Sequence, residues 1–106
     1  MDLGKLTLEL AKPFEGTVLE LETPDGRKIE MKLDEVTPYD TNVRRRVRGT
    51  PERNREPFAM YFLTAEPEPL PQGMYTLRSE KMTLDNVFIV PVGKDEEGVE
   101  YEAIFT

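Results

Sequence analysis

The 106-residue sequence contains no cysteine and no histidine. Without cysteine the chain has no thiol nucleophile, no disulfide and no thiolate ligand for zinc. Without histidine it lacks the most common general base and metal ligand, which excludes the Ser/His/Asp and Cys/His catalytic arrangements. Two carboxylates could still act together in glycoside hydrolysis, but no pair among the 21 acidic residues is distinguished by its spacing. We therefore expect a protein that is not an enzyme and that binds no cofactor and no metal.

Long apolar runs are also absent. No apolar stretch approaches the roughly 18 residues that a membrane-spanning helix needs. The first ten residues, "MDLGKLTLEL", lack a basic region followed by an apolar core, so they do not resemble a secretory signal peptide. These features predict cytoplasmic synthesis without a signal peptide and no membrane partner. Later incorporation into a tail-like or extracellular particle stays open.

Length and composition predict one domain that needs no disulfide or metal ion to fold. A chain of this size can bury about two-thirds of the surface that it exposes when unfolded. Charged residues make up 33%, prolines number nine, and the amides are limited to three asparagines and one glutamine. This composition points in the direction of hyperthermophile proteins, although a small acidic domain could also reach it by chance. Both interpretations stay open.

The first half of the sequence predicts a β-hairpin. In "FEGTVLELETPDGRKIEMKLDEV", apolar and charged residues alternate on both sides of "TPDGR", which has the Pro and Asp-Gly of a tight turn. The alternation slips after Leu33, which indicates a bulge near Asp34-Glu35. The segment before the hairpin has two interpretations. Thr7 caps a single helical turn in one of them, and the same residues form an edge strand in the other.

The second half predicts four more strands. "FAMYFLTA" is apolar on both faces, which is typical of a strand buried on both sides at the centre of its sheet. A second hairpin has its strands near residues 74–79 and 84–92, and Pro91 indicates an edge position, a bulge or a strand end. After the turn "GKDEEG", the segment "VEYEAIFT" alternates again. Because no long helix is indicated, we expect an all-β domain of six or seven antiparallel strands, either a small barrel or a sandwich.

The apolar face of each segment predicts the core: Leu19, Leu21, Ile29, Met31, Leu33, Phe58, Met60, Phe62, Leu77, Val87, Ile89, Tyr101, Ala103 and Phe105. The proline-rich stretch "EPEPLPQG" predicts a rigid connector with Leu70 packed against this core, in preference to a polyproline ligand. The acidic turn "GKDEEG" lacks the ligand spacing of a calcium loop, so we interpret it as an exposed hairpin turn. Both hairpins are expected to leave strand edges available for pairing.

Residues 42–58, "NVRRRVRGTPERNREPF", contain six arginines and two glutamates in a chain whose net charge is −7. Without this segment, the chain's 14 basic and 21 acidic residues fall to 8 and 19, so the arginines belong to an otherwise acidic protein. The region from about 40 to 57 has no apolar period and predicts a mobile loop. The expected interaction residues are its six arginines: Arg44, Arg45, Arg46, Arg48, Arg53 and Arg55.

Three roles for these arginines stay open. The loop of one subunit could contact the acidic face of the next, which predicts a homo-oligomer or a protein partner in an assembly. The guanidinium groups could instead bind phosphates of a nucleic acid or another polyanion. Nucleic acid is disfavoured because no aromatic residue lies among the arginines and the acidic body repels a polyanion. The loop could also fold back onto its own strands. No small-molecule substrate is indicated.

Two segments, "PLPQGMYTL" and "NVFIVPVGKDEEGVEYEAIFT", follow the patterns PLPQGxYxL and FLVPVGxDxxGxxYEAVFN. In these segments the chain resembles a small bacterial family known only as a domain of unknown function. The resemblance covers about residues 10–106, more loosely at "PFEGTVLELE", and departs from the pattern at Thr106 and in the arginine-rich segment. Members of that family are often encoded beside phage tail-collar proteins of the microcystin-dependent type. The resemblance thus implies an accessory or structural role in a tail-like or fibrous assembly, and it supplies no catalytic residue.

Overall fold

The computed structural model describes residues 6–39, 57–66 and 68–105. It contains a short helix and a 3-10 turn followed by six strands: α1 (Leu8–Ala11), the turn Lys12–Phe14, β1 (Val18–Glu22), β2 (Lys28–Pro38), β3 (Phe58–Thr64), β4 (Gly73–Arg78), β5 (Thr83–Asp95) and β6 (Gly98–Phe105). Among these described residues, no helix has the length and apolar content needed to cross a membrane. The predicted loop at about 40–57 lies outside the described residues, apart from Pro57.

The six strands form a closed antiparallel barrel in the order β1-β2-β3-β6-β5-β4, and β4 pairs with β1 to complete it. The predicted all-β fold, with one short helical element near the N-terminus, is confirmed as a barrel. Two expectations about strand edges were wrong. None of the six described strands has a free edge, because closure pairs each strand on both sides. For the same reason β3 is not the central strand of an open sheet.

The apolar content of β3 has a different explanation from the one predicted. Its inward residues Phe58, Met60 and Phe62 are fully buried in the core. Its outward face, by contrast, is only partly covered, since Leu63 is 39% exposed and Tyr61 is half-buried. One face of every barrel strand points outward, so an apolar residue on that face is not necessarily buried.

Two predicted irregularities are present in the strands. The β2–β3 register shifts between Leu33 and Glu35, which confirms the bulge after Leu33. The β5–β6 register shifts between Pro91 and Gly93, so Pro91 marks a bulge rather than an edge strand. A further shift between β4 and β5 accompanies Asn86, whose φ of +55° is one that asparagine tolerates better than most residues. Bulges of this kind increase local bend and twist, which helps six strands to close.

The helical interpretation of the N-terminal segment is confirmed. The hydroxyl of Thr7 accepts a hydrogen bond from the Leu10 N–H at 3.2 Å, as an N-cap does. At the end of the helical segment, the Glu15 carboxylate accepts a hydrogen bond from the Val36 N–H (2.7 Å), and the Lys12 ammonium donates to the Val36 carbonyl (2.9 Å). Lys12 and Glu15 also pair with each other at 3.1 Å. These contacts fasten the helical segment to β2 just after its bulge.

All of the predicted core residues are buried. The core also contains residues outside the predicted core list: Leu6, Ala11, Val36, Leu70, Tyr75, Met82, Leu84 and Val99. Several of them come from places where the period of two does not apply, such as the helix, the β2 bulge and the β4–β5 turn. The barrel is therefore filled partly by its strands and partly by the segments that cover its ends.

The proline-rich connector between β3 and β4 is confirmed as a structural element. In the barrel order β3 and β4 are three positions apart, so residues 65–72 must cross one end of the barrel. Leu70 joins the core with 7% exposure. Its N–H donates to the buried Tyr101 hydroxyl at 2.8 Å, and the Tyr75 hydroxyl donates to the Pro71 carbonyl at 2.7 Å. Two tyrosines thus hold the connector against the barrel.

Candidate interaction surface

The described part of the chain provides no deep chamber for a ligand. Core side chains fill the barrel, and the two best-formed concavities are shallow, open grooves of about 410 and 490 Å³. The larger groove is lined partly by carboxylates, but no group of three or more acidic side chains among the described residues could hold a metal ion. In the neighbouring turn, the Asp95 carboxylate accepts a hydrogen bond from the Glu97 N–H at 2.8 Å. This hydrogen bond gives Asp95 a structural role in the turn.

Large apolar side chains are exposed on the outside of the barrel. Among the described residues they are Leu10, Val18, Leu63, Met74, Phe88, Val92 and Ile104. Met74, Phe88, Val92 and Ile104, between 42% and 57% exposed, belong to the adjoining strands β4, β5 and β6. An exposed apolar residue alone needs no explanation, whereas a group on neighbouring strands indicates an interaction surface.

The strand register places Met74, Phe88 and Ile104 side by side, and Val92 follows them in the β5 bulge. Met74 pairs directly with Phe88 across β4 and β5. Val90 pairs with Glu102 across β5 and β6, and the next outward positions on the same side are Phe88 and Ile104. Phe88 therefore lies between an apolar neighbour on β4 and another on β6, while half-buried Val90 continues the apolar face along β5. We call the set Met74, Phe88, Val90, Val92 and Ile104 the apolar wall.

Charged groups beside the apolar wall are turned toward other strands. The Glu102 carboxylate accepts a hydrogen bond from the Tyr61 hydroxyl on β3 at 2.8 Å. This bond, with burial and further carboxylates as smaller causes, raises the pKa of Tyr61 to about 12. On the other side, Arg78 of β4 donates to the Glu22 carboxylate of β1 at 2.8 Å. These contacts direct the two charges toward neighbouring strands instead of toward Phe88 and Val90.

The six arginines predicted as the interaction site lie outside the described residues, so their role stays a prediction. The structure does show where their segment joins the barrel. The Tyr39 N–H donates to the Pro57 carbonyl at 3.0 Å, and Pro38 pairs with Phe58 in the β2–β3 register. The described residues on either side of that segment, Tyr39 and Pro57, therefore lie side by side where two neighbouring strands end and begin.

The other groups with shifted pKa values have structural roles. The hydrogen bond from the Val36 N–H, followed by that from Lys12, lowers the pKa of Glu15. The hydroxyl of Thr23 donates to Asp25 in the β1–β2 turn and lowers the pKa of that carboxyl. Burial raises the pKa of Tyr101. Each group is explained by an end or a turn of the barrel, so none of them indicates a catalytic centre.

Sequence analysis did not identify the apolar wall. Its signal is present in the sequence, because the strand predicted near residues 84–92 is apolar on both faces as far as Pro91. In an open sheet such a pattern is typical of burial on both sides. In a closed barrel the same pattern has another meaning. The inward residues Val87 and Ile89 are buried, and the outward residue Phe88 is exposed.

Together, the fold and the surface define a small closed antiparallel barrel with a filled interior and an apolar wall on three adjoining strands. Residues 6–105 match a family described as a domain of unknown function, DUF6916. The chain belongs to this family, which confirms the coarser part of the resemblance seen in the sequence. Comparison with curated proteins found no match, and neither did comparison with solved structures.

The residues on which the resemblance was based have structural roles in the barrel. Tyr75 and Tyr101 hold the proline-rich connector, and Leu70 fills the barrel end beneath it. Gly98 has a φ of +141°, and a Cβ atom added to it would lie 1.8 Å from the Thr64 carbonyl oxygen. Glycine is therefore required where the β5–β6 hairpin meets the end of β3. These residues account for the fold, and the apolar wall needs a separate explanation.

Proposed function

We propose that the chain is a non-enzymatic structural or accessory subunit that self-associates, or docks onto a protein partner, within a phage-tail-like or fibrous assembly. The observation on which this proposal rests is the apolar wall. Monomeric proteins rarely expose contiguous apolar surface of this kind unless it is used for binding. The filled interior and the shallow grooves favour a surface function over a ligand chamber.

The composition of the apolar wall suits the centre of a protein–protein interface. Such centres are enriched in aromatic residues and methionine and depleted in charge, and the wall contains Phe88 and Met74 with three branched apolar residues. A stable interface buries about 800 Å² on each partner, at roughly 25 cal/mol for each Å² of apolar area. The wall supplies the apolar centre of such an area, and the charged residues around it supply the polar rim.

The assembly part of the proposal is supported by the resemblance described above. Tail-like and fibrous particles repeat their subunits, so each copy needs a surface that binds another protein. A chain with this resemblance and an unpaired apolar wall meets that requirement. The closed barrel also limits how it can assemble, because its described strands offer no edge for strand addition. Among the described residues, side chains on the barrel's outer face are therefore the surface that we propose for association.

Analytical ultracentrifugation over a concentration series tests this proposal. The wild-type chain should gain mass as its concentration rises above the micromolar range, and Phe88→Glu should remain monomeric because the substitution places a charge within the interface. Val18→Glu is the matched control, since Val18 is 53% exposed, close to the 50% of Phe88, but lies on β1. It should associate like the wild type. A monomeric wild type, or a Phe88→Glu variant that associates normally, would contradict self-association.

A nucleic-acid-binding or polyanion-binding module is the second candidate. It is favoured by the six arginines within residues 42–58 of an otherwise acidic chain. Binding through phosphate contacts should weaken steeply as salt increases, because counterions are released on binding. A salt titration with single- and double-stranded DNA and RNA tests it. Affinity that falls steeply with salt and is lost when the six arginines are replaced would favour this candidate over assembly.

A further inference from the structure

Three carboxylates surround Tyr61 on the outer face of the barrel. Tyr61 of β3 pairs with Glu35 of β2 on one side and with Glu102 of β6 on the other. Glu100 is the next outward residue of β6 and pairs with Leu63. Glu35 is exposed, and the side chains of Tyr61, Glu100 and Glu102 are half-buried. We call these four residues, Glu35, Tyr61, Glu100 and Glu102, the acidic strip.

No ion pair among the described residues neutralises the acidic strip. The four ion pairs found there involve none of its carboxylates. The hydrogen bond to Glu102 and burial raise the pKa of Tyr61, and the charges of Glu102, Glu100 and Glu35 raise it further. All three carboxylates therefore act on the same hydroxyl. Lys32 of β2 pairs with Leu63 instead, on the other side of the β2 bulge. The strip thus presents negative charge around an aromatic ring.

Arginine is well suited to such a surface. A guanidinium group can donate two parallel hydrogen bonds to a carboxylate, and it can stack on an aromatic ring. The chain itself has six arginines and only two glutamates within residues 42–58. Without that segment each copy has 8 basic and 19 acidic residues, a net charge of −11, so two such bodies repel each other. Contact between copies is therefore favoured when the arginines of one lie against carboxylates of the other.

The acidic strip and the ends of the arginine-rich segment both border the apolar wall. Val90 of the wall pairs with Glu102 of the strip. Ile104 of the wall pairs with Ala59, which lies two residues after Pro57. Residues 40–56 could reach about 25 Å from this junction if half of them ran outward and half returned. The wall is only about 10 Å wide from β4 to β6, at the usual spacing of neighbouring strands. A second copy seated on the wall would therefore lie within reach of the segment.

We propose that the acidic strip of one copy binds the arginine-rich segment, residues 42–58, of a second copy, while the two copies associate through their apolar walls. This inference rests on the proposed function, because it adds a second contact to the self-association proposed there. It also specifies the chemistry of that contact. The apolar walls supply affinity, and the arginine–carboxylate contacts fix which surfaces meet and make association sensitive to salt.

Neutralising the acidic strip tests this contact. The triple variant Glu35→Gln, Glu100→Gln and Glu102→Gln should weaken self-association about tenfold, measured by analytical ultracentrifugation at low salt. The direction is informative, because the change of net charge from −7 to −4 would by itself favour association. The matched control is Glu9→Gln, Glu30→Gln and Glu80→Gln, which makes the same charge change at exposed positions outside the strip and should not weaken association. Both variants should keep the circular dichroism spectrum of the wild type.

A spin label identifies the occupant of the strip directly. Because the chain has no cysteine, Thr50→Cys provides a single attachment point within the arginine-rich segment. In a mixture of this spin-labelled chain at natural isotope abundance with the ¹⁵N-labelled wild type, only contacts between copies broaden the NMR signals. Amide signals of Tyr61, Glu100 and Glu102 should broaden at low salt and recover at high salt. Signals on β1, such as that of Glu20, should not broaden.

The outcomes separate this inference from the proposed function. A strip variant that associates as tightly as its control, or a mixture with no broadening at the strip, would overturn the arginine contact. Broadening found only when both labels are on the same chain would also overturn it, because the segment would then bind its own copy. If Phe88→Glu is still monomeric in these cases, self-association through the apolar wall stands. A monomeric wild type would overturn both.

Discussion

Two parts of the barrel's outer surface differ sharply in composition. On β1 and β2, every outward position from residue 20 to 32 is charged: Glu20, Glu22, Lys28, Glu30 and Lys32. Some of these charges are paired, for example Lys28 with Glu20 at 3.9 Å. On β4, β5 and β6 the corresponding surface is the apolar wall. The inward faces of both parts are equally buried.

This difference in outward residues shows which apolar side chains the fold requires and which it does not. Closing a small barrel requires apolar side chains on the inward face of each strand, and both parts satisfy this. The β1–β2 part shows that outward positions of the same barrel accept charged residues. Folding therefore does not explain why Phe88 and its neighbours are apolar. The interface with another protein that we propose would explain it.

The largest difference in folding stability should be found between two phenylalanines, one that points into the barrel and one that points out of it. Phe62→Ala should lower the free energy of unfolding by about 4 kcal/mol, because it opens a cavity at a fully buried site. Phe88→Ala should cost less than about 1 kcal/mol, because its ring is half exposed in the monomer. Urea denaturation at a concentration below that of association measures both. Equal losses would show that Phe88 is needed for folding.

The next largest difference in stability is expected between alanine substitutions at two glycines of the β5–β6 hairpin. Gly98→Ala should destabilise the barrel by about 3 kcal/mol, since the new Cβ meets the Thr64 carbonyl oxygen and the positive φ is strained for alanine. Gly93→Ala is the matched control. Its nearest contact, 3.8 Å from Glu100, is ordinary, so its effect should stay within about 0.5 kcal/mol. Thermal and urea unfolding of both variants should show this order, and the reverse order would contradict the hairpin's described packing against β3.

Removing the hydroxyl groups of the two tyrosines that hold the connector should have intermediate effects on the free energy of unfolding. Tyr101→Phe should cost about 2 kcal/mol, because it leaves the buried Leu70 N–H without its acceptor. Tyr75→Phe should cost about 1 kcal/mol, since the Pro71 carbonyl that it abandons is less deeply buried. Denaturation curves measured under identical conditions compare them. If Tyr101→Phe is neutral, the connector is not held by this hydrogen bond.

The smallest effect on stability is expected from the contact between Tyr61 and Glu102 at the border of the apolar wall. A tyrosine whose pKa is higher in the folded state than its ordinary 10.0 stabilises the fold below pH 10, and this contribution is lost as pH rises toward 12. Glu102→Gln should therefore lower the pKa of Tyr61 toward 10.0 and reduce this pH dependence. Ultraviolet titration of tyrosinate absorbance measures the shift, with Tyr61→Phe identifying the transition. An unchanged titration in Glu102→Gln would contradict the Tyr61–Glu102 contact.

Much of the fold could be predicted because its signals are local. Alternation with a period of two identified the inward residues, the slip after Leu33 identified the β2 bulge, and Pro91 marked the irregularity in β5. Closure was harder to predict, because it depends on pairing β1 with β4, which are far apart in sequence. Residues such as Ala11 and Met82 were missed because they join the core from a helix and a turn.

The candidate site was harder to predict than the fold. An apolar residue on a strand has the same local pattern whether its outward face is covered by the protein's own chain or is left for a partner. Only the closed topology shows that Phe88 points outward. The arginine-rich segment, which drew most attention in the sequence, lies outside the described residues, and its role stays a prediction.

The most direct test of the central claim is an NMR concentration series on the ¹⁵N-labelled wild-type chain, which requires no substitution. The account predicts that backbone amide signals of Phe88, Val90 and Val92 shift or broaden as concentration rises, together with those of their neighbours on β4 and β6. Amides of the charged positions on β1 and β2, such as Glu20 and Glu30, should stay unchanged. Concentration-dependent changes centred on β1 and β2, or no change at any strand, would contradict the assignment of the apolar wall to a contact between copies.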